Sequence, residues 1–448
     1  MTRALPQPSD SPSPSRPPAS GERRSRPPPE PASPLTLDAQ LDARPAVVAG
    51  SDVAPQSPEG VSPAGVSPAA IGGVARKAAE RVHHLDFLRA SMMILGVFVH
   101  ASHADYDLGS YQAIRFLSGS FRMACFFLIS GYFSAAMLER YTDRQFLRRR
   151  LLALGVPAVF SVLVLNPPAL SAMRHYFSTA PVPIEPIVNW HLHVWFLFVL
   201  MIYSLAARPL LRVCQAVSGA LARLSGPQYS EALALALLTA VASVAFKALE
   251  KWGGLLPAFD QYSEITGSAV ENVPYFACGL LMQRVPRVFG FAHARPWFWS
   301  LAALGLLGPR WWLEQQPITT TPQHLLHLTV DFTTAFACSF ALLSIAARCV
   351  RRPRRWVTLT AASAYTIYIA HYLFISLALE HTQRWGFSQP LRAATAALVA
   401  LGAGYAIHFG LVERVPFAAL LLNGRLSQRR RAAVPEPVAA GAQGLPRA

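Results

Sequence analysis

Long apolar runs constrain this chain more than any other feature of its sequence. About ten runs of roughly 17–25 mostly apolar residues follow one another, and each is long enough to cross a ~30 Å hydrocarbon core as a helix. Because lipid offers the backbone no hydrogen-bond partner, the sequence predicts an all-α, polytopic membrane helix bundle. The predicted spans are 85–105, 118–139, 146–168, 190–211, 231–250, 268–285, 297–313, 324–347, 357–379 and 391–413.

Basic residues predict the direction of these spans across the membrane. Arginine clusters follow every second span, as with Arg148, Arg149 and Arg150, whereas the alternate connections hold few basic residues. Such clusters remain in the cytoplasm, so both termini are expected inside, and a nine- or eleven-span arrangement would break the alternation. The net charge of +16 therefore reflects topology. A lipid bilayer is the expected partner, and nucleic acid is not.

The two ends of the chain differ from the apolar part. Residues 1–75 are dominated by Pro, Ser, Ala and Arg and are predicted to form a disordered, Pro-rich cytoplasmic tail, because such a composition buries too little apolar surface to fold. Residues 426–448 are predicted to form a second disordered tail, which leaves a membrane domain over residues 80–425. The five cysteines show neither a CxxC motif nor a Cys/His metal-ligand spacing, so no metal site is expected.

Ionisable residues within spans are costly and usually functional. In the predicted topology Asp86 and Arg89 lie near the inner end of span 1, and His100 and His103 lie near its outer end. Polar side chains from six spans are expected to gather in the outer half. The alternative is an interfacial belt of His, Trp and Tyr side chains. The residues placed in the outer half are His100, His103, Arg122, Trp190, His191, His193, Trp195, Glu271, Asn272, His324, His327, Asp331, Tyr365, Tyr368 and His371.

Arg89 and His100 share one face of span 1. They are eleven positions apart, which places them about 20° apart around a helix and about 16 Å apart along its axis. This arrangement suits an anionic substrate that enters from inside and reacts deeper in the membrane. The alternative is that Arg89 forms an ion pair with Asp86, one turn earlier.

Three motifs in the first half of the chain carry a family resemblance. They are LDFLRASMMILGVFVH (85–100), FRMACFFLISGYFSAAMLERY (121–141) and HVWFLFVLMIYSL (193–205), and they occur in that order. The chain resembles the membrane acyltransferase-3 family through its Arg-x10-His, SGYF and WFL signatures. The second motif and LRRRLLALGVPAVFSVLVLNPP (147–168) are most similar to the subgroup that succinylates osmoregulated periplasmic glucans. The resemblance covers about residues 80–425 and neither tail.

The resemblance implies an inner-membrane acyltransferase. It implies succinyl-CoA or another acyl-CoA as a cytoplasmic donor, bound as a substrate and not as a permanent cofactor. It also implies a periplasmic glucan as acceptor and contact with glucan-synthesis machinery. His100 would be the general base, and Arg89, with Asp86 beside it, would bind the donor. Two other functions stay open: a transporter of a glycan or small anion, and an O-acetyltransferase acting on another cell-surface glycan.

Further site residues are expected from depth and charge. Arg122 would stabilise the developing oxyanion or bind the succinyl carboxylate, unless it forms an ion pair with Glu271 or Asp331. His193, Glu271 and His371 are catalytic candidates from their depth alone. The loop acids Asp105 and Asp107 would contact the glucan or orient His103, unless they are simply exposed. The small residues Ser130 and Gly131 are interpreted as close helix packing.

Overall fold

A computed structural model describes residues 68–102, 109–177, 190–226, 229–253, 263–350 and 355–425, without the side chains of 68–82 and 225. Every regular element among these residues is helical. The helices are α1 (Pro68–Ala101), α2 (Gly109–Gly119), α3 (Arg122–Arg140), α4 (Asp143–Phe160), α5 (Asn166–Phe177), α6 (Trp195–Ser225), α7 (Ser230–Gly253), α8 (Ser263–Glu271), α9 (Val273–Arg284), α10 (Pro286–Ala294), α11 (Pro296–Glu314), α12 (Thr321–Cys349), α13 (Arg355–Arg384), α14 (Gln389–Ile407) and α15 (Pro416–Asn423). Short π-helical segments, Ser161–Leu165 and His408–Val412, extend α4 and α14, and a 3-10 turn, Leu192–Val194, precedes α6.

Eight helical segments are long and apolar enough to cross a membrane. They coincide with eight of the predicted spans, and the chain is a multi-pass membrane protein. The segments are His83–Ala101, Gly109–Arg140, Asp143–Phe177, Leu192–Leu224, Ser230–Trp252, Thr321–Cys349, Arg355–Arg384 and Gln389–Val412.

The two remaining predicted spans are helical but do not meet that criterion. The run 268–285 is divided at Asn272 into α8 and α9, because a proline follows at the first turn of α9. The run 297–313 is the single helix α11, which contains Pro309. Its length suffices, but its arginine, glutamate and interior proline lower its hydropathy.

Both predicted tails fall mostly outside the described residues, as do His103, Asp105 and Asp107. The first helix begins at Pro68, so residues 68–75, expected in the N-terminal tail, are helical. Helix formation does not require a wholly apolar composition, and the alanines of this segment favour a helix that continues directly into span 1.

Close backbone packing joins α3 to α9 through two glycines. A Cβ added at Gly131 would collide with the carbonyl oxygen of Phe276, and one added at Gly279 would collide with the carbonyl oxygen of Leu128. Small residues allow helix backbones to approach in this way inside membranes. The interpretation of the Ser130–Gly131 pair as close packing agrees with this geometry, and Ser130 itself is buried.

Helix α13 lies in the interior and carries much of the polar content of the bundle. Its buried residues include Tyr365, Tyr368 and His371, spaced by three, so they share one face. Tyr365 donates a hydrogen bond to the carbonyl of Ala153 in α4 (3.0 Å). This face of α13 therefore connects α4 with a group of buried polar residues around His371.

Candidate active site

Three histidines from separate helical segments meet in the interior. His100 lies near the end of α1, His193 lies in the 3-10 turn before α6, and His371 lies in the middle of α13. The ring of His371 is centred 5.3 Å from that of His100 and 5.0 Å from that of His193. All three are buried, between 2% and 3% exposed. We call them the imidazole cluster.

Tyr372 completes the cluster. Its ring stacks nearly parallel on His193, with centroids 5.2 Å apart and planes 11° apart. It also contacts His100 edge-on at 5.5 Å. Tyr372 thus contacts both His100 and His193. His371, the preceding residue of α13, approaches the same two imidazoles.

Backbone carbonyls orient this cluster. His371 Nδ1 lies 2.7 Å from the Tyr368 carbonyl oxygen, which can only accept, so Nδ1 carries a hydrogen. In the neutral ring Nε2 is then the nitrogen able to take a proton. The Tyr368 hydroxyl donates to the His193 carbonyl (2.9 Å) and so ties α13 to the turn that carries His193.

Arg122 adds a positive charge beside the cluster. It is the first residue of α3, it is fully buried, and its guanidinium lies within electrostatic range of His371. Burial of a cation in a membrane bundle is costly and marks a functional candidate. A fixed positive charge near a base is the arrangement that acyl transfer to a hydroxyl needs for its developing oxyanion.

A second arginine holds the start of α3. Arg310 donates to Asp331 (Nε to Oδ1, 2.9 Å) and to the Ser120 hydroxyl (Nη1 to Oγ, 2.8 Å), two residues before Arg122. Asp331, considered above as a partner of Arg122, is therefore paired with Arg310. The reason is the position of Arg310 on α11, which packs directly against α12.

Near the start of the apolar segment His83–Ala101, α1 places Asp86 and Arg89 together. Arg89 Nη1 lies 3.6 Å from Asp86 Oδ1, so the ion pair considered as an alternative is present. The Arg89 guanidinium also lies 5.4 Å from the centre of the Phe133 ring on α3. Arg89 is 5% exposed, and its continuous helix carries it on the face that holds His100 eleven residues later.

The other predicted polar residues divide between several places. Glu271 ends α8 with an exposed side chain, close to Tyr203 and Tyr275. His324 on α12 pairs with Glu250 on α7 (3.2 Å). Trp195 is 1% exposed and is therefore a core residue and not part of an interfacial belt. Within the described ranges, no group of three or more His, Cys, Asp or Glu side chains could hold a metal ion.

Sequence reasoning missed Arg150 as an interior residue. Its place beside Arg148 and Arg149 predicts a topology charge, yet Arg150 is fully buried and donates to the hydroxyls of Ser134 (2.9 Å) and Ser204 (3.2 Å). A signal was available in its spacing. The buried positions of α4 follow a helical period, which runs through Phe146, Arg150, Ala153, Leu154 and Pro157. Arg150 occupies one of these positions, whereas Arg148 and Arg149 do not.

Comparison with known proteins gives a family match and partial relatives. A family model described as an acyltransferase domain (the acyltransferase-3 model) matches residues 82–409. Glucans biosynthesis protein C of Escherichia coli K12 is 29% identical over 146 residues, which cover 28% of this chain and 38% of that protein. Its counterpart in Salmonella paratyphi B is 30% identical over 154 residues, with the same coverage. The similarity thus spans well under half of these relatives. No solved structure matches.

Proposed function

Because the chain belongs to the membrane acyltransferase-3 family, we propose that it transfers a succinyl group from succinyl-CoA to hydroxyls of a periplasmic glucan. The imidazole cluster beside the buried Arg122 is the observation that carries this proposal. It provides a base and a fixed positive charge, both shielded from bulk water. The glucan acceptor is supported by the partial relatives that carry the name glucans biosynthesis protein C.

In the proposed reaction His100 is the general base. It takes the proton of the glucan hydroxyl while the hydroxyl oxygen attacks the thioester carbonyl. The tetrahedral intermediate then collapses, the C–S bond breaks, and the leaving CoA sulfur receives the proton from the imidazolium. The products are the glucan ester and CoA, so atoms and charge balance without a further reactant.

The neighbours of His100 have separate proposed roles. Arg122 stabilises the oxyanion of the intermediate or, for a succinyl donor, binds the distal carboxylate. His193 and His371 hold the acceptor hydroxyl and His100 in orientation. Glu271, a catalytic candidate from its predicted depth, lies near Tyr203 and Tyr275 and has no direct role in this mechanism.

Arg89, with Asp86, is the proposed donor-side site at the inner face. The CoA moiety carries phosphates, which a buried arginine attracts. The ~16 Å between Arg89 and His100 along α1 is comparable to the reach of an extended pantetheine arm. We therefore favour direct transfer from the thioester, without an acyl-enzyme. A covalent acyl group trapped on the protein would contradict this mechanism.

The mechanism uses a ten-span topology with both termini in the cytoplasm. The alternative is an eight-span bundle in which α9 and α11 do not cross. The two arrangements place the connection at Arg287 on opposite sides, and this residue is exposed. In a variant whose native cysteines are replaced, Arg287→Cys is expected to resist a membrane-impermeant maleimide added outside spheroplasts and to react after permeabilisation. Labelling from outside would support eight spans.

Mass spectrometry of the periplasmic glucans from cells with and without the gene tests the function. Succinylated glucans are expected only in cells that carry it. Acetylated glucans, or acylation of another surface glycan, would retain the enzyme class and change the donor or acceptor. Unmodified glycans together with altered glycan export would instead indicate a transporter.

A further inference from the structure

The segment that carries His193 has a strained backbone. Leu192 has φ +42°, and among the described residues it is the single non-glycine residue with a positive φ. A non-glycine residue in this left-handed region is strained and persists only where its surroundings enforce it. The strained residue lies directly before His193, so the strain sets the direction from which this imidazole enters the cluster.

Three contacts from distant parts of the chain hold this turn. Asn166 donates from Nδ2 to the Trp190 carbonyl (2.8 Å), and Tyr368 donates to the His193 carbonyl (2.9 Å). The third contact joins His191 Nε2 to Glu264 Oε2 at 3.3 Å. The first two hold the backbone at the ends of the turn. The third holds its middle through a side chain of α8.

The hydrogen-bonding chemistry of His191 makes Glu264 its natural partner. His191 Nδ1 lies 3.3 Å from the Leu192 carbonyl, which can only accept, so this nitrogen donates and Nε2 is left to face the carboxyl group. Burial raises the pKa of Glu264 to about 7. A protonated carboxyl can donate to the neutral Nε2 that this tautomer leaves facing it.

We propose that Glu264 is a positioning residue, which acts through His191 to hold the strained turn so that His193 stays stacked on Tyr372 beside His371. Glu264 contacts none of the three imidazoles of the cluster in this role; it acts on the backbone that presents one of them. The proposal rests on the proposed acyltransferase function for its kinetic consequence, but its structural consequence does not depend on that function.

The kinetic test is a double-mutant cycle between Glu264 and His193. Glu264→Ala is expected to lower kcat about tenfold, since small misplacements of catalytic groups are costly, and to leave the KM for the acyl donor unchanged. In a His193→Ala background the same substitution is expected to change kcat less than about twofold, because Glu264 is proposed to affect catalysis through the position of His193. Equal losses in both backgrounds would overturn the proposal, as would an unchanged kcat in Glu264→Ala.

A conservative variant separates the polar His191–Glu264 contact from general loss of packing. Glu264→Gln keeps a group that can donate to Nε2 and is expected to retain most of the transfer that Glu264→Ala loses. A Gln variant as impaired as the Ala variant would contradict a role through this polar contact. Glu250→Ala is the matched control: Glu250 also pairs with a histidine, His324, but away from the cluster, and its loss should leave kcat unchanged.

A measurement independent of catalysis distinguishes failure of this inference from failure of the proposed function. Diethyl pyrocarbonate modifies exposed imidazoles, and mass spectrometry locates the modified residue. His193 is 3% exposed and is expected to react slowly in the wild type and in Glu250→Ala, and at least severalfold faster in Glu264→Ala. Unchanged protection of His193 would refute positioning by Glu264, even if the wild-type protein transferred no acyl group.

Discussion

Replacing His100 by alanine is expected to lower acyl transfer by roughly 10²–10⁴-fold, the usual contribution of a general base. The His100 imidazole is 2% exposed and contacts His371 and Tyr372. A base dissolved in water therefore cannot reach its position unless the cluster opens. The measurement is the initial rate of acyl transfer to purified glucan in membranes or detergent. His100→Gln keeps the volume of the side chain and should be equally inactive.

The controls for this prediction use other buried histidines. His408 is 1% exposed and hydrogen-bonded to Thr366 (2.8 Å), away from the cluster, so His408→Gln should transfer acyl groups normally. His193→Ala and His371→Ala should lose part of the activity. If His100→Ala were fully active while His371→Ala were inactive, His371 would be the base, using the Nε2 that its bond to Tyr368 leaves available.

Local periodicity explains which parts of the site could be predicted. Arg89 and His100 lie on one helix, so their alignment follows from 100° per residue and needs no knowledge of the fold. The meeting of His100, His193 and His371 depends instead on how three distant segments pack. Depth reasoning could place these residues at one level but could not distinguish them from Glu271 and Asp331, which lie at similar predicted depths and contact other groups.

Other features were not readable from the sequence, for physical reasons. The positive φ of Leu192 depends on tertiary contacts. The sequence gives no sign of it, because the position holds neither glycine nor another turn-forming residue. The break of the predicted span 268–285, by contrast, had a signal in the sequence, because Glu271, Asn272 and the proline at the first turn of α9 interrupt the apolar run. Arg150 is a different case: its helical spacing showed an interior position, but its place in an arginine run made it resemble a topology signal.

Replacing Arg89 is expected to weaken use of the donor by about 10- to 100-fold in kcat/KM, because a hydrogen bond to a charged group contributes ~1.5–3 kcal/mol. The effect should appear mainly in the KM for the acyl-CoA, since Arg89 lies far from His100 along α1. Steady-state kinetics with varied acyl-CoA and saturating glucan measure it. Arg89→Gln is preferable to Arg89→Ala because it keeps contact with the Phe133 ring.

Loss of the Arg89–Asp86 ion pair is a competing explanation for weaker use of the donor by an Arg89 variant. A second substitution distinguishes this explanation from loss of donor binding. Removing Arg89 alone leaves Asp86 as an uncompensated, half-buried charge, and such a loss destabilises the protein by itself. Asp86→Asn removes that charge. The double variant Asp86→Asn/Arg89→Gln is therefore expected to regain the thermal stability that Arg89→Gln loses, while its kcat/KM for the donor stays low. Recovery of stability and of donor use together would show that Arg89 serves only to neutralise Asp86. The Asp86–Arg89 pair would then be structural, and the donor-binding cation would have to be sought elsewhere in the bundle.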